Sequence, residues 1–204
     1  IMALSIRDRI TLSILIQNVE LPLQLNSIDY IHIVESTRLY LPQLTFQFTD
    51  ATKFLTRNDL TGDGALIEIN IEIEKIRKKY SFRLFSCTDW LADGSTKYRI
   101  TGYWDSPLYW SQTLTQIYSG TSSNVLAQLA QECGLNYNSI PTNDAQSWIP
   151  MNKTYKQFAT DIADHGYIND QSCMVMAVTT KGELRLRNLT DFNQYQPAGA
   201  YYSG

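Results

Sequence analysis

Between Thr121 and Asp191 the chain sets two helices, each too short to stand alone, ahead of a hairpin they can pack on, and this arrangement narrows what it can fold into. The first helix is predicted to open behind Gly120-Thr121-Ser122-Ser123, where hydroxyl oxygens can accept from the free N–H groups of a first turn, and to close at Gly134. Val125, Leu126, Leu129, Ala130 and Cys133 recur at helical spacing and give it one apolar face. The second is predicted to open on Thr154-x-x-Gln157, a capping-box pattern, with Tyr155, Phe158, Ala159, Ile162 and Ala163 as its buried stripe and Gly166 as its stop. Cys173 to Val178 is nearly all apolar and reads as a buried strand. Lys181-Gly182 supplies a turn, and Leu184 and Leu186 alternate with Arg185 and Arg187 on the return. Isolated helices of under about a dozen residues are marginal in water, so these two must pack on the hairpin.

From Arg9 to about Trp104 the period is two rather than 3.6. Ile10, Leu12, Ile14 and Ile16 share one face, Leu44, Phe46 and Phe48 repeat the pattern, and Ile67, Ile69, Ile71 and Ile73 alternate with Glu68, Asn70, Glu72 and Glu74. Further strands are expected at 28–35, 80–88 and 97–103, about six in all, which points to a barrel or sandwich. Pro22 and Pro42 fit only at strand starts or edges. Ala51 to Leu60 interrupts the strands with room for one helical turn ahead of Gly62-Asp63-Gly64. Asp105-Ser106-Pro107 is the expected boundary between the two parts. The long connection 136–150 is expected to be pinned to the core by Trp148 and Ile149. The expected fold is therefore α+β and mainly β: an N-terminal antiparallel β-barrel over 1–105, a small domain of two short helices packed on a β-hairpin over 106–191, and a tail or lead-in over 192–204.

The order "SSNVLAQLAQECGLNY", a tryptophan-bearing linker, "NKTYKQFATDIADHGYI" and "CMVMAVTTKGELRLRNL" resembles the middle part of baseplate hub proteins of tailed phages. The related hubs of type VI secretion spikes and other contractile injection machines share it. With the β-rich region taken as the family's first barrel, the resemblance covers most of the chain; it is one of pattern, not of catalytic motif. It implies a structural, non-enzymatic protein of the virion tail, at the baseplate or tail tip and assembled in the host cytoplasm. Its chains would self-associate into a ring, a trimer or alternatively a hexamer, meeting tail tube, distal tail and spike or tip proteins. Hubs of this kind usually continue into a second barrel, which has no match here, so the chain is expected to be a fragment or part of a divided hub. Ile1 ahead of Met2 is likewise odd for a natural start. A lumen that passes DNA should be acidic or neutral, and Glu68, Asn70, Glu72 and Glu74 form the row expected to line it.

The 204 residues carry a formal charge of −3 with both signs interspersed, which argues against sequence-specific nucleic-acid binding through a basic face. The one dense basic run, Lys75 to Lys79, falls where a solvated hairpin tip is expected. Cys87, Cys133 and Cys173 stand far apart; two lie on apolar faces and read as small buried hydrophobes, with no disulfide framework. No stretch is long and apolar enough to span a bilayer and no leader pattern is present. With only two histidines, metal and acid–base chemistry is restricted. His32 is expected buried or half-buried on the side of Ile28, Tyr30 and Val34, and His165 in the last turn of its helix, with Asp161 and Asp164 facing solvent. Asp59 to Gly64 departs from a calcium loop at the twelfth position, where Asn70 stands, and reads as a turn. No catalytic, cofactor-binding or metal-ligating residue is assigned, and no cofactor is expected. Two alternatives to the hub remain: the N-terminal scaffold of a tail-associated cell-wall hydrolase, and a glycan- or peptide-binding module suggested by Tyr103, Trp104, Tyr109 and Trp110.

Overall fold

The computed structural model describes residues 10–36, 41–73, 76–106, 109 and 111–194. The chain divides into two compact units, one drawing on residues up to 35 and from 41 to 105, the other on residues from 106 onward. It is mainly β.

The first unit is a seven-stranded antiparallel sheet. Its strands are β1 (Ile10–Ile16), β2 (Val19–Glu20), β3 (Ile28–Val34), β4 (Gln43–Asp50), β5 (Leu66–Ile73), β6 (Ile76–Ala92) and β7 (Ser95–Trp104), and its order is β2-β1-β5-β6-β7-β4-β3. The order is linear: among the described residues the sheet is open, and no ladder closes it into the expected barrel. The period-two runs decide which face is buried. Ile14 and Ile16 near one end, Ile67, Ile69, Phe82, Leu84 and Ile100 in the middle, and Leu44, Phe46 and Phe48 toward the other end all enter one apolar cluster. Ile28, Ile31 and Ile33 of the far edge strand pack against the same cluster, so both ends of the sheet share a single core. The expected helical turn is present as α1 (Phe54–Arg57), which adds Leu55 to that core. Asp50 ties it down, accepting from the N–H of Leu55 at 3.1 Å and of Thr52 at 3.1 Å.

Two bulges change the phase that alternation predicts. Ile28 pairs with Phe48 but Tyr30 with Gln47, leaving Asp29 as an extra residue. Ile28, Ile31 and Ile33 therefore point inward, while Tyr30, His32 and Val34 take the other face, and His32 is exposed rather than buried. In β6 the register shifts between Leu84 and Ser86: Phe85, next to the buried Leu84, faces outward at 62% exposure, and the phase reverses beyond it, so that Cys87 packs against the core. The basic run lies at the end of the β5–β6 hairpin and is solvated as expected: Ile76 to Lys79 opens β6 opposite β5 and is exposed, but it is part of the strand rather than of a turn.

The second unit holds β8 (Tyr118–Gly120), α2 (Ser122–Glu132), β9 (Asn136–Ser139), β10 (Gln146–Trp148), α3 (Tyr155–Asp164), β11 (Met174–Val178) and β12 (Glu183–Asn188). Both helix starts follow the predicted chemistry. The Thr121 hydroxyl accepts from the Asn124 N–H, and Thr154 and Gln157 form a reciprocal capping box. Gly134, at φ 69°, ends α2 in the left-handed conformation that glycine tolerates. Gly166 acts differently: its φ is not positive, and a Cβ there would lie 3.2 Å from both the Ala163 carbonyl oxygen and Met174 Cγ, so it provides closeness between elements. The helix stripes, apart from the half-buried Cys133, and Met174, Met176, Val178, Leu184 and Leu186 are buried. The hairpin is extended to three strands, because β9 adds to β12 in parallel, while β8 and β10 form a separate two-stranded sheet. The connection 136–150 is thus structured by two short strands. Trp148 is buried and donates from Nε1 to the Gly120 carbonyl at 3.0 Å, whereas Ile149, one residue on along an extended segment, faces out at 56% exposure. Cys173 stands just before β11 and is exposed, while Cys87 and Cys133 are half-buried.

Candidate functional site

The solvent face of the first unit is built from the residues that alternate with its core. On β5, Glu68 and Glu72 look across to β6, where Lys79 approaches Glu68 at 2.5 Å and Arg77 approaches Glu72 at 3.0 Å. Asn70 stands opposite Lys79. The predicted acidic row is therefore a neutralised one, its carboxylates matched by the basic run; Glu74 and Lys75 lie outside the described residues. Thr11, Ser13, Asn70, Glu72, Arg77 and Lys79 surround a shallow hollow of about 380 Å³.

Further across the same face, a chain of polar contacts links four strands. Asp29, placed outward by its bulge, accepts from Gln47 Nε2 at 2.7 Å and from Lys97 Nζ at 3.1 Å. The Gln47 carbonyl oxygen in turn accepts from Arg99 at 3.0 and 3.2 Å, and the Arg99 guanidinium lies 5.6 Å from the Trp90 ring centre. The Gln47 amide and then the Lys97 ammonium hold the Asp29 carboxyl below its usual value. Tyr30 stacks on His32 at 4.7 Å, and Phe85 meets Tyr103 edge-on at 5.1 Å. Sequence reasoning missed this network because it depends on which side chains strand pairing brings together, and the two bulges that shift that pairing leave no trace in the alternation pattern.

In the second unit, two carboxylates bind elements together. Asp144 accepts from the Ser122 N–H at the start of α2 at 2.8 Å and from the Tyr167 N–H beyond α3 at 2.9 Å. Burial by itself raises its pKa, but these backbone donors, with the Ser122 and Thr142 hydroxyls, outweigh burial and leave it lowered. Glu132 accepts from the phenols of Tyr155 at 2.8 Å and Tyr118 at 3.1 Å; burial first, and then this carboxylate, push both phenols up. Beside them the Cys133 thiol is pushed up to about 12 by burial and by Glu132, and in the first unit Cys87 is pushed up to about 11 by burial and Asp89. Both thiols stay protonated and poorly nucleophilic near neutrality.

The remaining sequence candidates do not converge. Asp161 pairs with Lys153, Asp164 is exposed, and His165 Nδ1 lies 2.8 Å from the Asp161 backbone oxygen, the capping geometry expected of it. Asp59 to Gly64 forms a turn with Asp59 and Gly64 at positive φ. Of the aromatic residues near the boundary, Trp104 packs edge-on against Phe82 at 5.9 Å and Tyr109 is 1% exposed; Trp110 lies outside the described residues. Among the described residues no group of three His, Cys, Asp or Glu side chains could hold a metal ion, and no helix is long and apolar enough to cross a membrane. One further hollow, of about 600 Å³, opens between the start of α2 and β9.

An open antiparallel sheet followed by a helix pair over a small mixed sheet defines the class. No protein-family profile matches the chain, and no curated protein matches it. Solved structures do. The 43 kDa tail protein of prophage MuSo2 from Shewanella oneidensis matches with TM-score 0.58 at 10% identity, over 87% of this chain and 53% of its own. A tail protein from Neisseria meningitidis MC58 matches with TM-score 0.56 at 14% identity, over 87% and 50%. Prophage tail protein gp18 from Listeria monocytogenes EGD-e matches with TM-score 0.54 at 10% identity, over 86% and 49%. A half-lidded Francisella PdpA–VgrG complex matches with TM-score 0.51 at 13% identity, over 91% and 32%. At these identities the likeness is one of fold, and the chain spans about half the length of the tail proteins. Its structural neighbours are thus prophage tail proteins and a VgrG complex, in line with the hub-related family that its residues resemble.

Proposed function

We propose that this chain is a structural component of a phage tail or a related injection machine, of the baseplate hub type. It assembles into a ring that joins the tail tube to the central spike or tip and leaves an axial conduit. The observation that carries the reading is the fold shared with tail proteins over most of the chain, across both its β-rich unit and its helix-bearing unit. The ends of the seven-stranded sheet that are open among the described residues, β2 and β3, support it too, because unpaired edges are a liability that a neighbouring subunit in a ring removes, completing the barrel-like closure. The neutralised row on β5 and β6 fits a conduit wall that does not retain DNA. The role is mechanical rather than catalytic, which agrees with Asp161 and His165 being engaged in an ion pair and a helix end.

Electron microscopy of the purified chain tests this. Class averages are expected to show rings with an axial hole and three or six subunits. Single compact particles at every concentration, with and without the tail tube protein of the same tail, would overturn the ring.

A further inference from the structure

We propose that the hollow between the start of α2 and strand β9 binds a neutral oligosaccharide, an activity separate from assembly. At about 600 Å³ it lies within the roughly 300–1,000 Å³ range of small-molecule sites. Its lining comes from residues 121–124 at the helix start and from residues 137–142, among them Thr121, Ser123, Asn124, Tyr137, Ser139 and Pro141; no lining residue carries a charge at neutral pH.

The hydrogen-bond inventory selects the ligand class. An anion finds no free donors at this helix start. The Ser122 N–H is taken by Asp144, that of Ser123 by Thr142 at 3.0 Å, and that of Asn124 by Thr121 at 3.2 Å. The negative Asp144 carboxylate lies just behind them and repels a second anion. A cation finds no carboxylate in the wall, and a wholly apolar ligand would strand its hydroxyls. What is left is both donating and accepting capacity. The Asn124 side-chain amide is exposed and lines the hollow, and the Thr121 hydroxyl accepts from a backbone N–H while keeping its own proton to donate. Tyr137 and Ser123 are 3.4 Å apart and Ser123 and Ser139 3.2 Å apart, long contacts that leave lone pairs open to a better partner. A ligand dense in hydroxyls, each of which donates and accepts, matches that mixed set. The Tyr137 ring and Pro141 give the apolar faces on which a sugar's C–H face can rest.

The test titrates the full chain separately with maltotriose, cellotriose and chitotriose to about 10 mM, an order above a millimolar Kd, while following backbone amide NMR signals. At least one sugar is expected to move the amides of 121–124 and 137–142 selectively. Asn124→Ala and Tyr137→Phe should each weaken that sugar at least fivefold, with the melting temperature of Asn124→Ala unchanged because its side chain is exposed. Co-sedimentation with insoluble cellulose and chitin separates two sources of the same chemistry: pelleting marks a polymer, and shifts without pelleting mark a soluble oligosaccharide. Absence of shifts with all three sugars overturns the proposal, as do shifts that both variants leave intact. An extended Ser/Asn hexapeptide that moves the same amides where the sugars do not would replace it with strand addition at the edge of β9.

Discussion

The two units reach their folds by different means. In the first, one rule repeated along the six longer strands, interrupted by two bulges, sends alternate apolar side chains into a shared core, and the polar contacts on the outer face lie on top of a sheet already decided by burial. In the second, no strand exceeds six residues, and the pieces are held by side chains that reach backbone groups of other elements: Asp144 across two loops, Trp148 onto Gly120. A long alternating strand specifies its register by itself, since a one-residue slip would expose its whole apolar row. A three-residue strand cannot, and needs a fixed partner.

The largest expected effect therefore lies in the first core. Phe46 is fully buried and stacks on Phe48 with ring centres 4.5 Å apart. Phe46→Ala should cost about 3–5 kcal/mol in a denaturant titration, lost burial and an unfilled cavity adding together. A loss below about 1 kcal/mol would mean that the open sheet relaxes around the gap, and that burial does not decide this unit.

Two glycines come next, one from each unit. A Cβ on Gly102 would stand 3.0 Å from the Arg83 carbonyl oxygen, which the β6–β7 ladder holds in place. On Gly166 it would meet the Ala163 oxygen at 3.2 Å, and Met174 and Ser122 side chains at 3.2 and 3.3 Å that can turn aside. Both alanine variants should destabilise by about 1–3 kcal/mol, with Gly102→Ala the worse. The reverse order in thermal melts would make the helix–strand contact of the second unit the stiffer of the two.

What the sequence made legible follows the same division. The alternating runs at Ile10–Ile16, Leu44–Phe48 and Ile67–Ile73 were readable because burial repeats with the period of the strand, and the caps at Thr121 and Thr154 because they depend on one side chain and a neighbour three residues on. The bulges at Asp29 and Phe85 were not, since each is set by the partner strand; hence the misplaced His32. Strand β9 reads Asn-Tyr-Asn-Ser, with no apolar signal, and exists because β12, more than forty residues on, offers it a parallel edge. The hollow beside it was hidden for the same reason: Thr121 and Ser123 were visible as cap residues, while Tyr137 and Ser139 reach them only through that pairing.

Acid should separate the clasps from the core. Asp144 and Asp50 both have lowered pKa values: burial raises each, and backbone N–H donors, Ser122 and Tyr167 for one, Phe54 and Leu55 for the other, more than offset it. A carboxyl whose folded value lies below its unfolded one, ordinarily about 4, contributes stability that is fully present above that unfolded value. The contribution is lost as pH falls through the depressed folded value. The wild-type protein should lose stability as pH falls from about 5 toward 2. Asp144→Asn should be less stable by about 1–2 kcal/mol at pH 7, with a shallower acid limb. Superimposable limbs for wild type and variant would show that the clasp does not discriminate between charge states.

The smallest effect is expected where a charge pair looks most conspicuous. Arg77 meets Glu72 at 3.0 Å, yet the two side chains are 81% and 39% exposed, so water and salt screen most of the attraction, and two flexible side chains must be ordered to gain the rest. Glu72→Gln should change stability by no more than about 0.5 kcal/mol, and the difference should vanish in roughly 1 M salt, where the screening length falls to about 3 Å. Asp144 carries the same charge as Glu72, but its partners are backbone N–H groups already fixed by the chain, so little entropy is lost in holding them. If Glu72→Gln proved as costly as Asp144→Asn, the row on β5 and β6 would be part of what sets the sheet's register. A negligible effect leaves its charges to govern what the outer face meets.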